Sequence, residues 1–394
     1  MPLTLAKEEL GSWIRLSLEP GLGPALARNL LASLGLPQDI YAASAGSLAR
    51  LLPNQLVQQL KQTPGDEIQN AITKTMEWLD HPQHHLLTLA DTSYPRALLD
   101  IHDPPLLLYA NGNLDLLNRP AISIVGARSA TAAGLDNAHA FSRHLAESGW
   151  CILSGLALGI DAAAHEGALQ AGSKGGGTVA IMGTGIDIVY PARNRDLAHQ
   201  IAREGLLISE FPIGRRALPY HFPKRNRLVA GMAQGILVVE AAKQSGSLIT
   251  ARLASEMGRE VFAIPGSIHS PLSRGCHALI RQGAKLVECA EDIHEELGKP
   301  KLLPAQPLAP ATRSTTPPTK AATDQTRLEP MHEPTTQRIL DAMGFDPVDL
   351  DTLQRRTQLG LSALNSSLLA LELSETVARQ DDGRFLRRST LHSR

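Results

Sequence analysis

The sequence predicts an α/β protein, with a central parallel sheet flanked by an N-terminal helical domain and a C-terminal winged-helix domain. Three observations lead there. Between residues 84 and 298, short apolar runs rich in β-branched residues alternate with helical segments, the pattern of a parallel sheet covered on both faces. Residues 1–80 carry helical periodicity alone. Residues 335–390 show three helical patterns followed by a hairpin.

In the head, helices are expected over Glu8–Leu18, Gly23–Leu34, Ser47–Leu52 and Asp66–Leu79. In the central region the expected strands are Ala121–Val125, Cys151–Ser154, Val179–Met182, Leu207–Glu210, Ile236–Glu240, Val261–Ile264 and Lys285–Val287. Helical patterns such as Thr131–Glu147 and Leu197–Glu204 lie between them. From 299 to 334 the chain is rich in Pro, Thr and Ala and poor in large apolar residues, so it is expected to be a disordered linker. In the tail, Thr335–Met343, Leu350–Thr357 and Ser362–Leu373 are expected helices. Thr376–Gln380 and Arg384–Arg388 form a hairpin around Asp381-Asp382-Gly383.

Composition narrows the function less than the fold. The chain has 394 residues, a formal net charge of −1 and 4% aromatic residues, so any nucleic-acid affinity must rest on a local cluster and a few rings. Cys151, Cys276 and Cys289 form no CxxC pair and are read as reduced structural thiols, two of them in strand-like runs, with no metal site. There is no charged-then-apolar leader and no long uncharged apolar stretch, which points to a cytoplasmic protein with no membrane partner.

The expected strands end in small residues. The first runs into Gly126-Ala127-Arg128, the second into Ser154-Gly155 and on to Gly159, and the third into Gly183-Thr184-Gly185. The fifth leads to Ser245-Gly246-Ser247 before another helical pattern, and the sixth to Pro265-Gly266. Glycine lets backbone N–H groups approach an anion, and a helix N-terminus adds a favourable dipole. Ligands of such sheets gather at these strand ends. A dinucleotide cofactor does not fit. Arg128 stands where the fingerprint needs its second glycine, and a serine stands where the ribose-binding acid belongs. Gly175-Gly176-Gly177 precedes a strand without a following Lys-Ser/Thr, so it is a turn and not a P-loop. No cofactor is expected.

Between Phe211 and Val239 there is no acidic residue, and the span holds Arg215, Arg216, His221, Lys224, Arg225 and Arg227 around Tyr220 and Phe222. Cations give charge-assisted bonds to phosphate, and rings stack on unpaired bases. Pro219 and Pro223 are read as stiffening a loop here. The bland alternative is a solvated basic loop whose arginines pair with Glu210 and Glu240.

The succession of these motifs, including Phe222-Pro223-Lys224-Arg225-Asn226-Arg227 and Ile264-Pro265-Gly266, resembles the DNA-processing DprA (Smf) family throughout the central region. The resemblance implies a Rossmann-like DNA-binding domain over 84–298, a SAM-like head over 1–80 and a winged helix over 335–390. It implies a non-catalytic, homodimeric protein of natural transformation that binds and protects single-stranded DNA and loads the recombinase RecA onto it. It also implies the site: Gly126, Ala127 and Arg128; Ser154 and Gly155; Phe222 as the stacking ring; Lys224, Arg225, Asn226 and Arg227; and Ser245, Gly246 and Ser247. The long Gly175–Gly177 turn departs from the family's compact one.

Two other readings come from residues. Asp161 and His165 lie four apart on an expected helix and, with Glu210 and Glu240, could make the acid–base or metal site of a nucleotide hydrolase; Asp161 could equally cap that helix. Ser362–Leu373 carries no Lys or Arg, which argues against major-groove readout by the tail and for protein contact, with Arg379, Arg384, Arg387 and Arg388 on the wing. The glycine-flanked turn Glu19–Ala27 is similar to a helix-hairpin-helix element. The histidines at 81, 84 and 85 are expected in a solvated loop.

Overall fold

The computed structural model describes residues 6–300, 333–380 and 382–387. The strands of the main sheet are β1 (His84–Thr88), β2 (Leu107–Gly112), β3 (Ala121–Val125), β4 (Cys151–Ser154), β5 (Thr178–Ile181), β6 (Leu206–Ser209), β7 (Gly235–Val238), β8 (Glu260–Ala263) and β9 (Lys285–Leu286). Their order is β1-β2-β6-β5-β4-β3-β7-β8-β9. From β6 to β9 all neighbours are parallel, while β2 runs antiparallel to β6 and β1 antiparallel to β2. The chain starts the parallel sheet at β3, builds outward through β4, β5 and β6, then returns to β7 on the other side of β3. The switch point therefore lies between β3 and β7, where a crevice opens beyond the strand ends.

All seven expected strands are present, each within one or two residues of its expected bounds. The antiparallel pair β1-β2 was not expected. Its members, His-His-Leu-Leu-Thr and Leu-Leu-Tyr-Ala-Asn-Gly, lack β-branched runs and are strands because they complete one edge. His84 and His85 thus lie in a strand and not in a loop, with the His84 ring stacked on Trp78 at 4.1 Å.

The head contributes six helices: α1 (Lys7–Leu18), α2 (Pro24–Leu34), α3 (Pro37–Ala42), α4 (Ala45–Leu48), α5 (Asn54–Lys61) and α6 (Asp66–Trp78). Those of the sheet region are α7 (Ala132–Glu147), α8 (Ile160–Gln170), α9 (Arg195–Glu204), α10 (His221–Met232), α11 (Gly246–Glu256), α12 (Arg274–Arg281) and α13 (Ala290–Leu297). Alternation along the strands sorts the core. Val179, Ile181, Leu206 and Ile208 face α10 and α11, joining Leu228, Val229 and Ala251 in one cluster. On the other face, Ile122, Ile124 and Ile152 pack with Ala138, Leu145 and Ala164 of α7 and α8. Beside them Ala180, Leu207 and Tyr109 share a cluster with Trp13, Ile14, Leu16 and Leu30 of the head. Head and sheet therefore form one compact unit, Met1–Ala130 with Gly134–Pro300.

A second unit holds α14 (Glu333–Met343), α15 (Leu350–Thr357), α16 (Leu361–Leu373) and the hairpin β10 (Val377–Arg379) with β11 (Phe385–Arg387). Its core joins Ile339, Leu353, Leu364, Leu368 and Phe385, and the hairpin is tied back by a bridge from Val348 to Phe385. This is the expected winged helix. The linker, apart from its ends, and Arg388 fall outside the described residues. Cys151 lies in β4, Cys276 in α12 and Cys289 before α13, so one cysteine and not two is in a strand; all three are free thiols. Among the described residues no helix is long and apolar enough to cross a membrane.

Candidate functional site

At the switch point lies a cleft of about 390 Å³. The β3 end contributes Val125, Gly126 and Arg128; the β4 end Gly155, Ala157 and Asp161; the segment after β7 Ser245, Gly246, Ser247 and Thr250; and α10 Phe222, Arg225, Asn226 and Val229. Gly126 is required by packing: a Cβ there would sit 2.6 Å from Ile160 and 2.9 Å from the Glu240 carbonyl. Ser245 caps α11, its hydroxyl accepting from Ser247 N–H at 3.2 Å, while the Ser247 hydroxyl donates to the Gly126 carbonyl at 2.8 Å. That bond ties the β3 and β7 loops together and points the N-terminus of α11 at the cleft.

The basic stretch is a correction to the expected loop. Its core, His221–Met232, is helix α10, and Pro223 sits in the first turn, where a missing N–H costs no intrahelical bond. The helix distributes its cations differently. Arg225 is 4% exposed, and its guanidinium donates to the carbonyls of Gly155 and Ile181 and, at 3.3 Å, to the Asn226 side chain. Burial lowers its pKa to about 10, and it stays cationic at neutral pH. A Cβ at position 155 would meet that guanidinium, so any larger residue there must displace Arg225. Arg227 is buried and pairs with Glu210 and, at 3.2 Å, with Asp103. It braces α10, as the bland alternative held for Glu210. Glu240 lies against Gly134 of α7. Arg128 is exposed, with its guanidinium 5.6 Å from the Phe222 ring centre, so cation and ring share one wall.

Nine of the thirteen residues named from sequence thus line the cleft. Ala127 is buried behind it. Ser154 is fully buried and spends its hydroxyl on the Ile124 carbonyl at 2.7 Å, so it offers no donor to a ligand. Lys224 projects to the other side of α10, 3.7 Å from Glu210. Ala157 and Thr250 also line the cleft without having been named from sequence, and Asp161 was named only for the hydrolase reading; the rule that small residues cluster at strand ends could have flagged Ala157.

The suspected acid–base cluster is dispersed. Asp161 accepts from the N–H groups of Gly155 and Ala157 at 3.1 and 3.3 Å, holding the β4 loop in shape. Burial raises its pKa, and the Arg225 charge acts against that rise. His165 is buried against the Thr178 hydroxyl at 2.7 Å, and burial lowers its pKa to about 3. Among the described residues no group of three His, Cys, Asp or Glu side chains could hold a metal.

The profile of the family described as DNA recombination-mediator protein A matches residues 85–298, and that of the DprA winged helix domain matches 309–383. Protein Smf of Synechocystis is 34% identical over 98% of this chain and 100% of its own. DNA processing protein DprA of Streptococcus pneumoniae is 47% identical over 53% of this chain and 73% of its own. The X-ray structure of that protein superposes with a TM-score of 0.63 at 37% identity, covering 75% of this chain and 99% of the other. A Helicobacter pylori DNA processing protein A, described for its single-stranded DNA binding mode, gives 0.50 at 30% identity over 55% of this chain and 96% of its own. A sheet-domain match spanning more than half the chain, a winged-helix match behind it and a relative aligned end to end place the chain in the DprA (Smf) family of DNA-processing proteins.

Proposed function

We propose that the cleft between the β3, β4 and β7 loops binds single-stranded DNA without catalysing a reaction on it. The observation that carries this reading is the wall made by Arg128 and Phe222, a solvent-facing cation beside a ring at the N-terminus of α11. A phosphate on Arg128 and the α11 backbone with a base on Phe222 needs an unpaired, flexible strand. Arg225 works from beneath as a buried positive charge that also fixes the Gly155 loop. The neighbouring carboxylates are engaged in structure, Asp161 with backbone N–H groups and Glu210 with Arg227, which supports binding over hydrolysis. The Helicobacter pylori relative's single-stranded DNA binding supports the same ligand.

Family membership extends the proposal to a cytoplasmic homodimer that protects incoming DNA in natural transformation and loads the recombinase RecA onto it. The domain division follows it, with the sheet and head as the binding unit and residues 335–390 as a separate winged-helix module. The apolar helix α12 around Leu279 and Ile280 is the candidate dimer contact; Leu279 is buried and Ile280 half-buried there. The test is titration of matched single- and double-stranded oligonucleotides at several salt concentrations. Single strands should bind more tightly, with a log–log salt slope of about −0.7 per phosphate neutralised. Equal affinity for duplex would remove the reading.

A further inference from the structure

Helix α10 borders two hollows. Phe222, Arg225 and Asn226 line the cleft already described, while Tyr220, His221 and Lys224 line a second one of about 240 Å³ between the sheet edge and the head. Its far wall is Ser17 and Leu18 of α1 with Leu22 and Pro24 of the glycine-flanked turn that opens α2.

Four observations describe what this second cleft suits. Its near wall is aromatic: the Phe211 and His221 rings lie 4.2 Å apart, and Tyr220 meets His221 edge-on at 4.6 Å. Tyr220 is 64% exposed, one of the large rings that the described residues leave open to solvent. Cations edge the same wall, Lys224 lying 5.4 Å from the Phe211 ring centre with Arg215 also lining the cleft. Finally, Glu210 has one carboxylate oxygen on Arg227 and Lys224, while its buried Oε1 has no hydrogen-bond partner among the described residues. Such an oxygen calls for a donor. Rings, apolar head residues, cations at the margin and an acceptor beneath match one chemistry: a flat base with an amino group, carried on a phosphate chain.

The geometry points to a second base subsite here, filled by a nucleotide of the same single strand after it passes over the start of α10. Phe222 on one side of that turn and Lys224 on the other give the strand a continuous ring-and-cation path between the hollows. The inference rests on the reading of the first cleft as a single-strand site.

The test uses the full chain with oligonucleotides of about a dozen nucleotides, in variants Tyr220→Ala, Ser17→Trp and Arg128→Ala. Tyr220→Ala removes an exposed ring, and Ser17→Trp fills the cleft from the head. Each should weaken binding about fivefold or more, the value of one stacked base. Oligo-dC should bind more tightly than oligo-dT, because cytosine offers its amino group to an acceptor. A photoactivatable thiothymine in the oligonucleotide should cross-link to peptides containing residues 17–24 or 211–221. If Arg128→Ala loses binding while the other two variants bind like the parent and cross-links map only to the first cleft, the second subsite is wrong and the first reading stands. If Arg128→Ala binds like the parent, the first reading falls and this one with it.

Discussion

Arg128 and Arg225 lie far apart in the sequence but line the same cleft, and they should fail in different ways when removed. Arg225→Met takes away the donor to the carbonyls of Gly155 and Ile181 and leaves both acceptors buried. An unsatisfied buried polar group costs about 1–3 kcal/mol, so two cost roughly 2–6 kcal/mol. Removing a desolvated charge and adding apolar volume offset part of this, leaving a loss of about 2–4 kcal/mol. In a unit of this size that lowers Tm by roughly 5–10 °C. Arg128→Ala removes an exposed side chain and should shift stability by no more than about 0.5 kcal/mol. It should still weaken single-strand binding about 10- to 150-fold, the value of one charge-assisted phosphate bond of about 1.5–3 kcal/mol. The assay is a urea or thermal melt by circular dichroism beside fluorescence-anisotropy titration. Charge reversal at 225 would not serve, because a carboxylate pressed on two carbonyls and near Asp161 reports on folding before binding. An Arg225→Met protein that melts like the parent, or an Arg128→Ala protein that melts below it, would refute this division of labour.

Other outcomes are expected from the same geometry. Gly155→Ala should destabilise by about 1–3 kcal/mol and weaken binding, since the new methyl must displace the Arg225 guanidinium; melts and titrations together check it. His165 stays neutral in the fold to about pH 3 but takes a proton near 6.5 when unfolded, so the unfolded state binds more protons between those values and stability falls as pH drops through them. The expected loss is about 2 kcal/mol between pH 7 and 5, and urea midpoints should show a shallower slope in His165→Gln. Asp161 and Glu210, raised by burial, act in the opposite sense, so the difference between variant and parent carries the result. Truncation after Pro300 should leave a folded unit that still binds single strands, measured by melting and anisotropy. Light scattering on that same fragment, at tens of micromolar, should find a dimer.

The sheet was legible because fully buried strands advertise themselves: Ala-Ile-Ser-Ile-Val and Cys-Ile-Leu-Ser are nearly continuous apolar runs. The edge pair β1-β2 was not, because leucine-rich segments take their conformation from the partner they meet. The glycines and Ser245 of the site were legible as strand-end residues. What sequence could not give was the side on which each α10 cation emerges. With Phe222-Pro223-Lys224-Arg225-Asn226-Arg227 taken as a loop, all its cations could converge; as a helix, successive residues turn about 100° apart, sending Lys224 to one hollow and Arg225 to the other. Ser154 misled for a related reason, since strand alternation aims its hydroxyl at the Ile124 carbonyl.

The shared core of head and sheet bears on how such proteins can diverge. Tyr109, Ala180 and Leu207 lie under Trp13, Ile14 and Leu30, so deleting the head would bare an apolar strip across three strands. A descendant could lose the head only by recolouring that strip with polar residues at the same time, or by recruiting another element to lie on it. Shuffling by simple excision is closed to this half of the molecule. The winged-helix unit has its own core of Ile339, Leu353 and Phe385 and faces no such barrier. Gain, loss and exchange should therefore have been easier at the carboxyl end of this lineage than at the amino end.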